Sequence, residues 1–178
     1  GRPNEKYVSL HDNITKAFKR RFCEYYSQTE CTLALAFNLT DDREQTAAQL
    51  AGLIQKNNGA LSTGFLATSY LLTVLSENGY NDIAYSLLLK ESYPSWLYSV
   101  NLGATTIWEH WDGINENGEF WSAKMNSFNH YSFGSIAAWM YETVLGIKLN
   151  GEKNGRLNIR ISPMPNQRLD WAEGSVKT

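Results

Sequence analysis

The chain has 178 residues, 43% of them apolar and 19% charged, which suits one domain or one domain with the start of a second and excludes a disordered or fibrous polypeptide. Lys and Arg number 16 against 18 Asp and Glu, so the formal charge of -2 provides no broad positive field, and no nucleic-acid partner is expected. No run approaches the roughly 18 apolar residues of a membrane-spanning helix, so no membrane partner is expected either.

In chain order, Cys23 and Cys31 come first, too few for a disulfide scaffold. On one helix their eight-residue spacing separates them by roughly 12 Å, beyond bonding reach, which predicts free thiols. From about Thr29 to Phe37 the residues are almost wholly apolar, the pattern of a helix met by protein on all sides. Thr40-Asp41-Asp42-Arg43-Glu44 opens a further helix with an oxygen-bearing cap and acidic residues at the positive end of the dipole; Asn57-Asn58-Gly59 closes it. The next helix runs from about Thr63 to Glu77, with Leu66, Tyr70, Leu71, Val74 and Leu75 inward, and ends at Asn78-Gly79. Asn81 or Asp82 caps another, carrying Ile83, Ala84, Leu87 and Leu88, which Pro94 breaks. A last helix spans Phe133 to Leu145, with Ile136, Ala137, Met140, Tyr141, Val144 and Leu145 as its apolar set, and ends at Gly146. Short links predict antiparallel helical hairpins in a stack or ring.

After Gly151 the period changes. Leu157, Ile159 and Ile161 alternate with Asn158, Arg160 and Ser162, the mark of a half-buried strand. A lone strand leaves its edges unpaired, so this one requires a partner elsewhere or further strands after it. The expected division is a helical unit over 1–150 and the start of a β unit over 151–178.

The chemistry is expected where the aromatic residues gather. Five of the six tryptophans (Trp96, Trp108, Trp111, Trp121, Trp139) fall between residues 96 and 139, among Gly, Asn and Ser. Glu109 stands between Trp108 and Trp111, with His110 and Asp112 beside it; Asn126-Ser127-Phe128-Asn129-His130-Tyr131 follows about twenty residues later. Aromatic faces next to a carboxylate and hydrogen-bonding side chains suit a sugar, whose C–H faces pack on rings and whose hydroxyls need oriented partners. Each residue also has a plainer reading: Glu109 as a solvated glutamate, His130 as a bonded structural histidine, Asp112 as a turn residue before Gly113, and Trp139 as core. No metal-ligand spacing, nucleophile elbow or phosphate-cradling glycine loop occurs, and neither a metal nor a cofactor is expected.

Four ordered stretches, Ser62-Thr63-Gly64-Phe65, Tyr93-Pro94-Ser95-Trp96, Gly103 to Asp112 and Asn126 to Tyr131, closely resemble the C-terminal half of the catalytic domain of bacterial and fungal α-L-rhamnosidases, glycoside hydrolase family 78. The resemblance covers roughly residues 28 to 165. It differs at His110, where the family often has Arg. It implies an all-α fold of helical hairpins forming part of an (α/α)6 toroid, followed by the first strand of a C-terminal β-sandwich. It also implies an inverting glycoside hydrolase acting on a rhamnose-containing glycoside or polysaccharide, with Glu109 as general base. His130 matches a histidine that contacts the sugar, with Trp108, Trp111 and Asn129 as the surrounding wall.

In an inverting enzyme the base holds a water, so the two carboxyl groups stand roughly 6.5–9.5 Å apart. The family's general acid lies in an earlier, acid-rich stretch that nothing in residues 1 to 60 matches. The expectation is therefore a part of a larger enzyme, carrying the base and not the acid, and nearly inactive alone. Helix faces left uncovered by an incomplete ring predict self-association. The rival readings are a non-catalytic helical-repeat or carbohydrate-binding protein, and another glycosidase on the same toroid.

Overall fold

The computed structural model describes residues 4–153 and 156–177. Helix α1 (Glu5–Arg21) opens on Asn4, whose Oδ1 accepts from the Lys6 amide at 3.0 Å, and closes with Lys19, Arg20 and Arg21 at its negative end. Helix α2 (Gln28–Ala36) starts with a reciprocal cap: Ser27 Oγ accepts from the Glu30 amide, and Glu30 Oε2 accepts from the Ser27 amide at 2.9 Å. Asp42 caps α3 (Arg43–Lys56) through the Gln45 amide at 2.8 Å, and α3 ends where Asn58 and Gly59 take φ values of 54° and 64°. Helices α4 (Phe65–Glu77), α5 (Asn81–Leu88) and α6 (Trp96–Asn101) follow, with a cis Tyr93–Pro94 peptide before α6. After a long irregular stretch come a 3₁₀ turn (Tyr131–Ser135), α7 (Ile136–Trp139), a π turn (Met140–Val144), and an antiparallel hairpin of β1 (Ile147–Lys153) and β2 (Arg156–Ile161). Among the described residues the fold is mostly helical, as the sequence predicts, with one two-stranded sheet where the sequence indicates a single strand.

Helix α2 lies against α3 and α4, and α4 lies against α5 and α7. Cys31, Leu35, Leu50, Ile54, Leu71, Leu75, Tyr85 and Leu87 are fully buried between them, each leucine contributing about 1.5–3 kcal/mol. Most polar groups inside are paired, Thr32 Oγ1 being an exception. Buried Gln28 donates from Nε2 to the Ala60 carbonyl at 3.0 Å and accepts at Oε1 from the Ser62 amide at 2.8 Å, tying α2 to the segment that leads into α4. Trp139 is core, as expected: its Nε1 donates to Ser76 Oγ at 3.0 Å, and Ser76 donates onward to Asn81 Oδ1 at 2.9 Å. Downstream of β2, the Met164 carbonyl accepts from Tyr85 Oη at 2.9 Å, which straps the chain across α5.

Several expectations are corrected. Leu66 and Tyr70 face outward, 78% and 39% exposed, because α4 is apolar on every side and its buried stripe is Ala67, Thr68, Leu71, Leu72, Val74 and Leu75. Phe37 is not enclosed; it caps α2 and packs edge-on against Tyr70 at 5.3 Å on the surface. Neither Asn81 nor Asp82 caps α5: Tyr80 holds that position, and Asn81 turns back to Ser76. The last helix is three short pieces, and Ala137, Met140 and Tyr141 are exposed, because its buried side falls on Trp139 and Thr143. The predicted strand pairs with the segment just before it, Ile147 opposite Ile161 and Leu149 opposite Ile159, with a bulge between Leu149 and Glu152. Ile159 is half-buried and Ile161 exposed; the side chain of Leu157 lies outside the described residues. Helix α1, unforeseen from the sequence, has no buried residue.

Candidate active site

The site is assembled by backbone pairing between two segments far apart in sequence. The Glu109 amide donates to the Ser127 carbonyl at 2.9 Å, the His130 amide donates to the Ile107 carbonyl at 2.8 Å, and Thr106 Oγ1 donates to the Phe128 carbonyl. The pairing places the two polar clusters side by side. Between them the chain makes a small hairpin, with Ile114 bridged to Phe120 and Asn115 Oδ1 accepting from the amides of Asn117 and Glu119 at 3.0 and 2.9 Å. The hairpin is rooted at Gly113, whose carbonyl accepts from Asn126 Nδ2 at 2.8 Å and from the Trp121 amide at 3.2 Å. A Cβ at Gly113 would lie 3.0 Å from Trp108 Cε3 and 3.2 Å from Phe128 Cε1, so glycine permits this close approach.

Glu109 presents its two carboxylate oxygens differently. Oε2 accepts from the Ser127 amide at 3.0 Å, while Oε1 lies 3.9 Å from His110 Nε2. The Glu109 side chain is 21% exposed, so it is half-buried and still reached by solvent. The imidazole of His110 lies flat on Trp121, ring centres 3.7 Å apart and planes 14° apart. A train of rings runs alongside: His130 stacks on Phe65 at 5.0 Å, Phe65 meets Phe133 at 4.9 Å, Phe133 stacks on Trp111 at 3.9 Å, and Trp111 meets Trp96 edge-on at 5.2 Å. Trp96 Nε1 donates to the Phe133 carbonyl at 2.9 Å, locking α6 to the 3₁₀ turn.

The sequence candidates thus occupy different depths. Trp108 is buried against Phe128 at 5.1 Å, Trp111 is half-buried with its Nε1 lacking a partner among the described residues, and both line a small hollow of about 10 Å³, no larger than a water, with Trp96, Ser99, Ile107, His110 and Phe133. Glu109 is not among the residues lining that hollow. Asn129 is exposed, and His130 is half-buried. Sequence reading passed over Ser127, whose backbone holds the carboxylate, and Phe65, which carries His130. A backbone donor leaves no trace in residue type, and Phe65 stood in the Ser62–Phe65 stretch without an assigned role. No group of three or more His, Cys, Asp or Glu side chains placed to hold a metal occurs among the described residues. No helix among them is long and apolar enough to cross a membrane.

A solvent-reached carboxylate, fixed by a main-chain amide beside aromatic faces, is suited to receiving a proton from a water poised over a sugar. The model of the bacterial alpha-L-rhamnosidase 6 hairpin glycosidase domain matches residues 2–144. The chain belongs to this family. The match takes in α1, well upstream of residue 28, where the motif resemblance begins. An α-L-rhamnosidase from Alteromonas sp. (strain LOR) is 41% identical over 98% of this chain, and one from Formosa agariphila is 40% identical over 97%. The crystal structure of the Streptomyces avermitilis α-L-rhamnosidase complexed with L-rhamnose superposes on 90% of the chain with a TM-score of 0.81 and 39% identity, covering 16% of that enzyme. The native Aspergillus terreus α-L-rhamnosidase superposes with a TM-score of 0.83 and 34% identity, over 90% of this chain and 20% of that one. The chain spans 18–20% of the length of the curated relatives it matches, and by family it is a segment of a glycosidase domain.

Proposed function

We propose that this chain is part of an inverting α-L-rhamnosidase that removes terminal α-L-rhamnose, and that it carries the general base, Glu109, but not the general acid. The observation that carries the reading is the fixed carboxylate: Oε2 is tied to the Ser127 amide, and the other oxygen, 3.9 Å from His110 Nε2, belongs to a side chain that solvent still reaches. Glu109 takes a proton from a water, and the hydroxyl adds to the anomeric carbon as the glycosidic bond breaks. The leaving oxygen takes its proton from an acid held by another part of the domain. Carboxylate charge near the sugar also steadies the oxocarbenium-like transition state. His130 serves as a sugar contact, with Trp108, Trp111 and Asn129 around it. Residues 1–150 form the later hairpins of the toroid, and 151–178 begin the β-sandwich. The family membership and the rhamnose-bound relative support the substrate class.

The test is hydrolysis of an aryl α-L-rhamnoside by this chain alone and by the chain joined to the remainder of its catalytic domain. The chain alone is expected to be nearly inactive and the joined domain active, with kcat lowered by about 10²–10⁴ in Glu109→Gln. Full activity of Glu109→Gln in the joined domain refutes the assignment. Sugar binding without turnover in that same domain identifies a carbohydrate-binding protein instead.

A further inference from the structure

We infer that His110 is a positioning residue, fixing the carboxylate oxygen of Glu109 that Ser127 leaves free; the inference rests on the reading of Glu109 as the base. A carboxylate held at one oxygen still swings about its last side-chain bond, and a second contact stops that motion. His110 Nε2 lies 3.9 Å from Glu109 Oε1, longer than a hydrogen bond but within a small side-chain turn of one, and the two side chains are only 28% and 21% exposed. The imidazole is itself held in place. It lies flat on Trp121 at 3.7 Å, and its backbone carbonyl accepts from the Gly113 amide at 3.1 Å, while Gly113 in turn binds the Trp121 amide at 3.2 Å. One residue therefore roots both partners of the stack, and the stack aims a nitrogen at the free oxygen. The position demands two properties together: a flat surface to lie on the indole and an N–H at its edge. Histidine has both, and so does arginine, whereas phenylalanine keeps only the first.

The experiment is a double-mutant cycle in the catalytic domain that contains this chain, assayed on an aryl α-L-rhamnoside, with His110→Phe, His110→Arg, Glu109→Gln and His110→Phe combined with Glu109→Gln. His110→Phe is expected to lower kcat by about tenfold with KM nearly unchanged, the effect of losing one charge-assisted contact. His110→Arg is expected to restore most of that loss. In the Glu109→Gln background His110→Phe is expected to change nothing further, because a group that acts through the carboxylate has no effect once the carboxylate is gone. An unchanged kcat in His110→Phe, a rise in KM alone, a failure of His110→Arg to recover activity, or an equal loss in both backgrounds overturns the inference while leaving the base assignment standing. Full activity of Glu109→Gln removes both. Should His110→Phe fail to fold, His110→Leu enters the same cycle with the same expected outcomes, arginine rescue included.

Discussion

Ser127 grips Glu109 twice: its carbonyl accepts from the Glu109 amide at 2.9 Å, and its amide donates to Glu109 Oε2 at 3.0 Å. The side-chain hydroxyl has a separate task, accepting from the Asn129 amide at 3.3 Å. Removing the amide and removing the hydroxyl are therefore expected to differ. Ser127→Pro deletes the donor to the carboxylate and is expected to lower kcat of the complete catalytic domain on an aryl α-L-rhamnoside by about ten- to a hundredfold. Ser127→Ala keeps the amide and is expected to stay within about threefold of the parent, the worth of one exposed hydrogen bond. Equal losses in the two variants, measured side by side, would show that the hydroxyl and not the amide matters.

Gly113→Ala forces a methyl group to within 3.0 Å of the Trp108 ring and 3.2 Å of Phe128. Both rings are packed against each other and yield little, so the expected cost is about 1–3 kcal/mol in urea unfolding, from overpacking. An undiminished midpoint would mean that the hairpin root moves freely.

Gln28 is 2% exposed and bridges the Ala60 carbonyl and the Ser62 amide. Gln28→Met retains the volume and removes both polar partners, stranding the Ser62 amide. The expected destabilisation is about 1–3 kcal/mol by denaturant titration, although a more hydrophobic side chain has replaced a polar one.

Burial pushes the Cys31 thiol up to about 11, while Cys23 is exposed. An aromatic disulfide reagent at pH 8 is expected to titrate one thiol quickly and the second only on unfolding, because the thiolate is the attacking form. The linkage has a definite sign. Cys31 is held protonated in the folded state, so its contribution is complete below the unfolded value near 9 and is lost as pH rises through about 11. Cys31→Ala is expected to flatten that alkaline decline. Two fast thiols at pH 8 would contradict the buried placement.

Helix α1 leaves Tyr7, Leu10 and Ile14 uncovered, 66%, 49% and 59% exposed, on one apolar stripe. Light scattering of this chain alone is expected to show association that weakens in Leu10→Glu/Ile14→Lys. A clean monomer at all concentrations would count against self-association.

Legibility in the sequence followed how local each determinant is. The Asp42 cap and the Asn58-Gly59 stop are decided within a turn of chain, and both are readable by residue type. The facing of α4 is not local: with apolar residues all around, periodicity alone does not choose between Leu66 and Ala67, and the neighbours α2 and α5 make the choice. The first strand of the hairpin escaped because a bulge between Leu149 and Glu152 breaks its alternation. Helix α1 carried readable signs, an Asn cap and a basic end, but its stripe faces solvent instead of a core. At the site, the aromatic cluster and the flanked Glu109 could be picked out directly. The clasp between residues 106–109 and 127–130 could not, since main-chain pairing across such a gap has no signature in composition or spacing.

That clasp sets how the molecule tolerates change. The carboxylate is secured at the two ends of the excursion, by the neighbours of Glu109 and Ser127, and not by the length of chain in between. Residues 114–120 hang from the root at Gly113 like a tag on a fixed ring, so insertions or exchanges at their tip are expected to leave the Glu109 carboxylate where it is.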